Sequence, residues 1–465
     1  MVQNKYRHLI GSVLFAAFLI PSHLLAQVFQ NTATFPNARY AHASEKSLNE
    51  NVLIFGGVIA SGANINSVYE YDPFLNSWTP KASIPNAAGL SKSASVRLNN
   101  GNVILFGGSQ NGSVPQSNKT FQYNINSDSW SLLANLPNSQ GREQMRATLL
   151  NDTLVLLTGG LSSSASALNY LSGCYLYNTN DNTFTQVGNL PAGVINHTST
   201  LLSNGEVLVT GGFDGNAARN EAFVFNLQNG WRTLPSTLSL AVSSHRAQLL
   251  SGKVYIYGGF NIPLFQFSNL MHVYDPLIDT IINANFGPIA CSQFAMAPYN
   301  SFILIAGGNR EFPNGNFGVT DEAYLYDINT NSFSTITNLP DARSEMEVVE
   351  LGNSGKFIFS GGHITLAQPF NDAIIYDASL TSGTIEITPL NAVCIYPNPC
   401  NDILKLKFAG IEIPIRFEIY SALGQRMKLG EISSTYASIS IQDLPQGSYV
   451  ISFNGQSYQR LQIVR

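Results

Sequence analysis

The stretch NVLIFGGVIASGANINSVYEYDPFLNSWTP, Asn51 to Pro80, decides the fold. It opens with an apolar run, Val52-Leu53-Ile54-Phe55, that ends in Gly56-Gly57, and Tyr71 and Trp78 follow at set distances. β-Branched and aromatic residues without polar alternation describe a strand buried on both faces. The alternating Val68-Tyr69-Glu70-Tyr71 describes a second strand. The turn DPFLNS, rich in residues that hydrogen-bond their own backbone, reverses the chain into another strand at Trp78. Upstream, RYAHAS and the turn SLNEN supply one more strand. The unit therefore has four strands joined by hairpin-length turns.

Glycine pairs recur at residues 56–57, 107–108, 159–160, 211–212, 258–259, 307–308 and 361–362, with steps of 51, 52, 52, 47, 49 and 54 residues. Units of this kind cannot bury their faces alone; stacked radially they share a continuous core and leave short edges. Tyr71 to Trp78, Tyr123 to Trp130, Tyr177 to Phe184, Tyr274 to Ile281 and Tyr326 to Phe333 are each seven apart, a constant hairpin length that sets both side chains at a seam between units. Glycine at the end of the second strand admits close backbone approaches that a Cβ would block. A buried strand, Gly-Gly, Tyr, six residues and Trp is similar to the kelch motif, and seven copies cover roughly residues 28–387. Phe or Ile replaces Trp in several copies, and Gly383 does so in the last. The resemblance implies an all-β chain with a seven-bladed kelch-type β-propeller; six blades plus an irregular segment is the competing count.

The weak last unit raises the question of closure. Phe29 precedes Pro36 by seven residues, as Trp78 precedes Pro85, yet no glycine pair stands upstream of Phe29. The segment VFQNTATF thus reads as an outer strand without its own unit, and residues 28–35 are expected to complete the last blade beside Tyr376.

The chain ends carry different signals. Residues 1–26 read as a signal peptide, with Lys5 and Arg7 before an apolar stretch and small Ala26 at the expected cleavage point. The run is short for a membrane span, and no later segment is apolar enough to be one. The propeller is assigned to 27–390. Residues 391–465 alternate as short strands with turns at Pro397-Asn398-Pro399, Gly424 and Pro445-Gln446-Gly447, which reads as a small Ig-like β-sandwich. Tyr396-Pro397-Asn398-Pro399, then IYSALGQ, then LPQGSY, resembles the C-terminal sorting domain of type IX secretion substrates in Bacteroidetes. That resemblance implies delivery by the type IX machinery through residues 393–465 and a secreted or cell-surface location.

Only 11% of residues are charged, against an ordinary share of about a quarter. Residues 27–392 carry a net charge of −9 and residues 393–465 carry +2. An acidic body has no electrostatic footprint for nucleic acid. Four cysteines in so long a chain do not form a disulfide framework; Cys394 and Cys400 are close enough in sequence to pair, or are two small buried residues.

No nucleophile elbow, phosphate loop or EF-hand run is present, and no two histidines show metal-ligand spacing. The sequence thus points to no cofactor, no metal and no catalytic set. Candidate ligand-binding residues fall in two groups. Arg39, His42, Arg142, His197, His245, Arg246, Arg343 and Glu345 lie at the first strand of their units, which lines the channel of a propeller. The loops between the second and third strands are long and dissimilar, and carry aromatics such as Phe265 and Phe267 that no core position demands. One-sided long loops suit a non-catalytic protein that recognises a carbohydrate or a protein. The alternative is a sugar-processing enzyme of the sialic acid epimerase-like kelch class, with Arg39, Arg142 and Arg343 holding an acidic sugar and Glu345 taking its proton. A copper-radical oxidase, also known on kelch propellers, needs two Tyr, two His and a Cys together, and neither Cys174 nor Cys291 has a His pair near it in sequence.

Overall fold

The computed structural model describes residues 29–378, apart from 48–49, 164–166 and 353–354, and residues 393–465, apart from 397–399, 409–412, 422–425 and 454–456. The signal segment and the stretch around Gly383 and the 390/391 boundary lie outside the described residues, as does the Cys394 side chain. Cys400 is a buried free thiol.

The described residues of the body form seven four-stranded antiparallel sheets, each following the chain from its inner to its outer strand except the last. The first comprises Ala43–Lys46, Val52–Phe55, Val68–Asp72 and Ser77–Lys81. Its second strand is wholly buried, and its side chains alternate between two cores. Leu53 and Phe55 join the core shared with the next sheet, whereas Val52 and Ile54 face the last sheet. A strand between two apolar layers needs apolar residues at every position, which is why this run does not alternate. Inner strands of successive sheets are neighbours around a cycle that returns from Glu347–Leu351 to Ala43–Lys46. The body is thus a β-propeller.

The last sheet takes its outer strand from the start of the chain. Gln30 and Asn31 pair with Ile375 and Ile374, and Phe29 is buried against Phe359 and Tyr376 at 5.6 and 5.0 Å. Residues 29–31 thus occupy the place expected for them.

The tyrosine–tryptophan spacing has a two-part cause. Tyr71 and Trp78 are cross-strand partners with ring centroids 4.9 Å apart. Between them Asn76 turns the chain at φ +46° and accepts the Tyr71 hydroxyl proton at 3.0 Å. The Asn76 amide oxygen also accepts the Ala33 N–H at 2.9 Å, and the Trp78 indole N–H donates to the Ala33 carbonyl at 2.8 Å. One hairpin therefore grips both backbone groups of a residue just beyond the outer strand of the neighbouring sheet. Asp128 and Trp130 hold Ala82 in the same way, at 2.8 and 2.7 Å. Ala33 follows the N-terminal strand as Ala82 follows an ordinary outer strand, so the grip treats the two alike.

In the tail, Val393–Tyr396, Ile403–Phe408 and Tyr436–Ser440 form one sheet, and Arg426–Ile432, Ile415–Ser421, Gly447–Phe453 and Ser457–Ile463 form another. They enclose a core that includes Leu404, Leu406, Phe417, Ile419, Ile451 and Leu461. Lys407 of the tail pairs with Asp72 of the first sheet. Among the described residues no helix is long and apolar enough to cross a membrane.

Candidate functional site

A four-residue segment precedes the inner strand of every sheet: RYAH from Arg39, LSKS from Leu90, REQM from Arg142, VINH from Val194, VSSH from Val242, CSQF from Cys291 and RSEM from Arg343. Each position has its own task, and together they build the mouth of the channel on the long-loop face.

The first position joins the sheets. Its carbonyl accepts the N–H of the second glycine of the preceding sheet: Gly57 to Leu90, Gly108 to Arg142, Gly160 to Val194, Gly212 to Val242, Gly259 to Cys291, Gly308 to Arg343 and Gly362 to Arg39, at 2.7–3.0 Å. The last of these bonds closes the cycle. The same carbonyl explains the first glycine. A Cβ on Gly56 would lie 2.0 Å from the Leu90 oxygen, at φ +61°.

The three arginines at this position serve that joint. Arg39 and Arg343 are wholly buried. Arg39 donates to the Gly56 carbonyl at 2.8 Å and to the Ser67 carbonyl and hydroxyl at 3.2 and 2.9 Å, with the Phe35 and Tyr69 rings 5.4 and 5.2 Å away. Burial lowers its pKa to about 10. Arg142 donates to the Gly159 and Gly173 carbonyls at 3.3 and 3.0 Å beside Tyr175. Arg343 donates to the Gly361 carbonyl at 3.4 Å, holds Asp372 at 2.9 Å and stacks 3.9 Å from Phe370. Each guanidinium thus spans the turn of its own sheet, so the expected inward arginine clamp is not what the geometry provides. A guanidinium with five donors can satisfy several carbonyls at once, which suits it to this buried crossing.

Residues at the second position pair with the residue after the glycines of their own sheet, such as Tyr40 with Val58 and Ser344 with His363. The third position forms a collar. Ala41, Lys92, Gln144, Asn196, Ser244, Gln293 and Glu345 all have φ between +50° and +57°. Backbone bonds run around it from Lys92 to Ala41, Gln144 to Lys92, Ser244 to Asn196, Gln293 to Ser244 and Glu345 to Gln293, at 2.9–3.1 Å. Glu345 alone of the singled-out residues sits in this collar.

Fourth-position side chains other than Ser93 reach the residue before the glycines of the preceding sheet. His42 meets Ser360 at 2.8 Å, His197 meets Thr158 at 2.8 Å, and His245 meets Thr210 at 2.9 Å. Elsewhere the contact is apolar or aromatic: Met145 and Phe106 share one core, Met346 and Ala306 another, and Phe294 lies 5.6 Å from the Tyr257 ring; Ser93 instead donates to the Gly107 carbonyl of its own sheet at 2.9 Å. The histidines therefore match seams and lie within the body. Burial holds His42 and His245 down to about 3, with nearby arginines adding to it, and His197 well below its ordinary value. Below about pH 6.5 the unfolded chain binds protons that these folded imidazoles refuse, so stability falls as pH drops toward 3. Glu45, raised to about 7 by burial, acts in the opposite sense, since the folded form keeps a proton that the unfolded form releases. Between pH 7 and 5, His245→Gln is expected to lose about 2 kcal/mol less stability than the native chain. Equal losses in urea melts at the two pH values would contradict this assignment.

Deeper in the channel Arg246 donates to the Phe294 carbonyl at 2.9 Å and Arg146 to the His197 carbonyl at 2.8 Å. Burial lowers Arg146 to about 10, with Arg246 as a like charge and Glu347 as an opposing one. The channel thus holds both signs of charge.

On the loops, Phe265 is 68% exposed and Phe317 is 55% exposed. Phe260 lies 6.2 Å from Phe265 and 4.7 Å from Phe267, and Phe267 lies 5.8 Å from Phe317. The loops of the fifth and sixth sheets thereby form one aromatic surface, with Phe267 partly covered and Phe265 outward.

Among the described residues no three His, Cys, Asp or Glu side chains converge as metal ligands. Cys174 and Cys291 are separately buried, and burial raises both thiols, Cys174 to about 12. These residues do not fit a copper-radical centre.

A family model described as the Attractin/LZTR1 β-propeller matches residues 15–266, and one described as a secretion system C-terminal sorting domain matches residues 394–464. Kelch domain-containing protein 10 of Homo sapiens is 26% identical over 224 residues, 45% of this chain and 49% of that protein. Kelch-like protein terF of Aspergillus terreus is 23% identical over 301 residues, 61% of this chain and 63% of its own length. The chain spans about half to under two thirds of the length of these relatives. A solved fungal alcohol oxidase of the AA5 family, in complex with copper, superposes with a TM-score of 0.61 at 12% identity, covering 95% of this chain and 100% of that one. That likeness is one of fold alone.

Proposed function

The chain belongs to the Attractin/LZTR1 β-propeller family and ends in a secretion system sorting domain, and from this premise we propose an exported, seven-bladed binding protein whose ligand, a carbohydrate or a protein, meets the long-loop face. Seven four-stranded sheets in a cycle support the blade count. The two packed sheets of residues 393–465 support an Ig-like sandwich that serves as the address for type IX export. On this reading a signal peptide of residues 1–26 is removed on the way.

The observation that carries the binding role is the aromatic surface of Phe260, Phe265, Phe267 and Phe317. An exposed phenylalanine cluster on loops contributes little to a core and offers a platform to a partner. The enzyme alternative relied on Arg39, Arg142 and Arg343 to hold an acidic sugar. Their guanidinium groups are engaged by Gly56, Gly159, Gly173, Asp372 and neighbouring rings, which favours the binding role over that one. The test is a glycan array probed with residues 27–465 alongside capture of surface proteins. Phe265→Ala with Phe267→Ala should weaken the bound partner by tenfold or more, roughly the scale of a 1–2 kcal/mol interface loss, with the melting temperature little changed. Unchanged binding, or a large stability loss, would remove the reason for choosing these loops.

A further inference from the structure

One corner of the channel mouth is built more elaborately than the collar requires. Asn309 donates its amide proton to the Gln293 side-chain carbonyl, and Gln293 in turn donates to Glu345 Oε1. Glu345 Oε2 lies 3.8 Å from His363 Nε2, and the His363 ring meets Tyr40 edge-on at 4.7 Å. Gln293 and Glu345 are successive collar residues joined by a backbone bond of 3.1 Å, so their side chains leave from fixed positions. His363 follows the last glycine pair and exchanges two backbone bonds with Ser344, at 3.0 and 3.1 Å.

His363 is only 7% exposed, yet neither ring nitrogen makes a hydrogen bond, and neither does the buried Ser344 hydroxyl beside it. Native structures leave few such groups, and each one left calls for a partner or a reason; the Glu345 side chain beside them is the partly exposed member of the corner, at 24%. The seam histidines differ, since each bonds a hydroxyl through one nitrogen. Glu345 and His363 are too far apart for a direct hydrogen bond and close enough for one small polar group to reach both.

We infer that this corner, formed by Gln293, Glu345, His363, Ser344 and Tyr40, binds a neutral polyhydroxylated ligand, a sugar whose adjacent hydroxyls donate to Glu345 Oε2 and pair with the His363 ring. The inference rests on the binding-protein reading and names its ligand class. An anionic sugar would set its charge against the Glu345 carboxylate. A divalent cation needs more ligands than are on offer, because Glu345 Oε1 and the Gln293 carbonyl already accept amide protons. Tyr40 fits a wall of this site: its pKa is raised by burial first and by the Glu345 charge second, so it stays a neutral hydroxyl.

The experiment is saturation-transfer NMR on residues 27–465 with the methyl glycosides of glucose, galactose, mannose and N-acetylglucosamine. N-acetylneuraminic acid and calcium chloride form separate arms. At least one neutral glycoside is expected to bind and to shift the His363 ring nitrogens. Glu345→Gln and His363→Gln, each checked for an unchanged melt, should weaken it at least about tenfold, the scale of a lost charge-assisted hydrogen bond. No neutral glycoside binding would overturn the inference, as would retention of affinity in both variants, or binding of only the acidic sugar or calcium. Loss of glycan binding in the Phe265/Phe267 variant but in neither of these would overturn this site and leave the binding-protein reading standing.

Discussion

Deleting residues 27–35 is expected to destabilise the entire propeller by roughly 10 kcal/mol, not merely to fray its last sheet. The deletion removes two buried aromatics: Phe29, packed on Phe359 and Tyr376, and Phe35, wholly buried 5.0 Å from Trp78. Each such truncation costs about 3–5 kcal/mol. It also removes the bonds of Thr32 to Ala373 and Phe35 to Asn371, and the grip of Asn76 and Trp78 on Ala33, at about 1 kcal/mol per bond. In an open array each repeat leans on its neighbours alone, and an unpaired Ala373–Asp377 edge would invite association with other chains. Calorimetry should show one cooperative transition far below that of the intact chain. A truncated chain that melts with the intact one would refute closure by the N-terminal strand.

The second large effect concerns a single methyl group. Gly56→Ala should cost about 3–5 kcal/mol, at the upper end for point substitutions. Its Cβ would stand 2.0 Å from the Leu90 carbonyl oxygen, a backbone atom that also accepts the Gly57 N–H at 2.7 Å. Relief would require parting the first two sheets. Gly62 is the control: φ is +80° there, and a Cβ would meet nothing within 4 Å. Gly62→Ala should therefore show only the backbone preference of about 1 kcal/mol. Equal losses in urea titrations would mean that backbone conformation, and not the neighbouring carbonyl, selects glycine at position 56.

The repeat, its four strands and the N-terminal closure were legible because each is written as residue type at fixed spacing. A strand between two cores has to be apolar throughout, as at Val52–Phe55, and an orphan outer strand keeps the same distance to its proline as its equivalents. The arginines were harder to place. Their position at the start of the inner strand suggested a channel lining, whereas their carbonyls join sheets and their guanidinium groups run along the turn. The signal was available: in the other four copies the same column holds Leu90, Val194, Val242 and Cys291, all mostly apolar and buried. The histidines follow a pairing rule across seams, with Ser360, Thr158 and Thr210 each just before a glycine pair one sheet away, which a single repeat does not reveal. Gln293 and His363 had no motif to mark them. Their proximity to Glu345 depends on how the sixth and seventh sheets and the first meet at the collar, a relation between residues far apart in sequence. Phe265 and Phe267 stood out as loop aromatics by their place between the second and third strands, though only the folded chain shows that Phe267 is partly covered, with Phe260 and Phe317 beside it.

Closure of the ring underlies the collar and every site on it, and amide hydrogen exchange on residues 27–465 tests it most directly. The N–H groups of Gly57, Gly108, Gly160, Gly212, Gly259, Gly308 and Gly362 each donate to the next sheet, and an amide so held exchanges only when its seam opens. In a closed ring no seam opens alone, so all seven should exchange slowly and at similar rates, Gly362 included. Rapid exchange at Gly362 with protection at the other six would show the ring open between its last and first sheets, and would contradict the account.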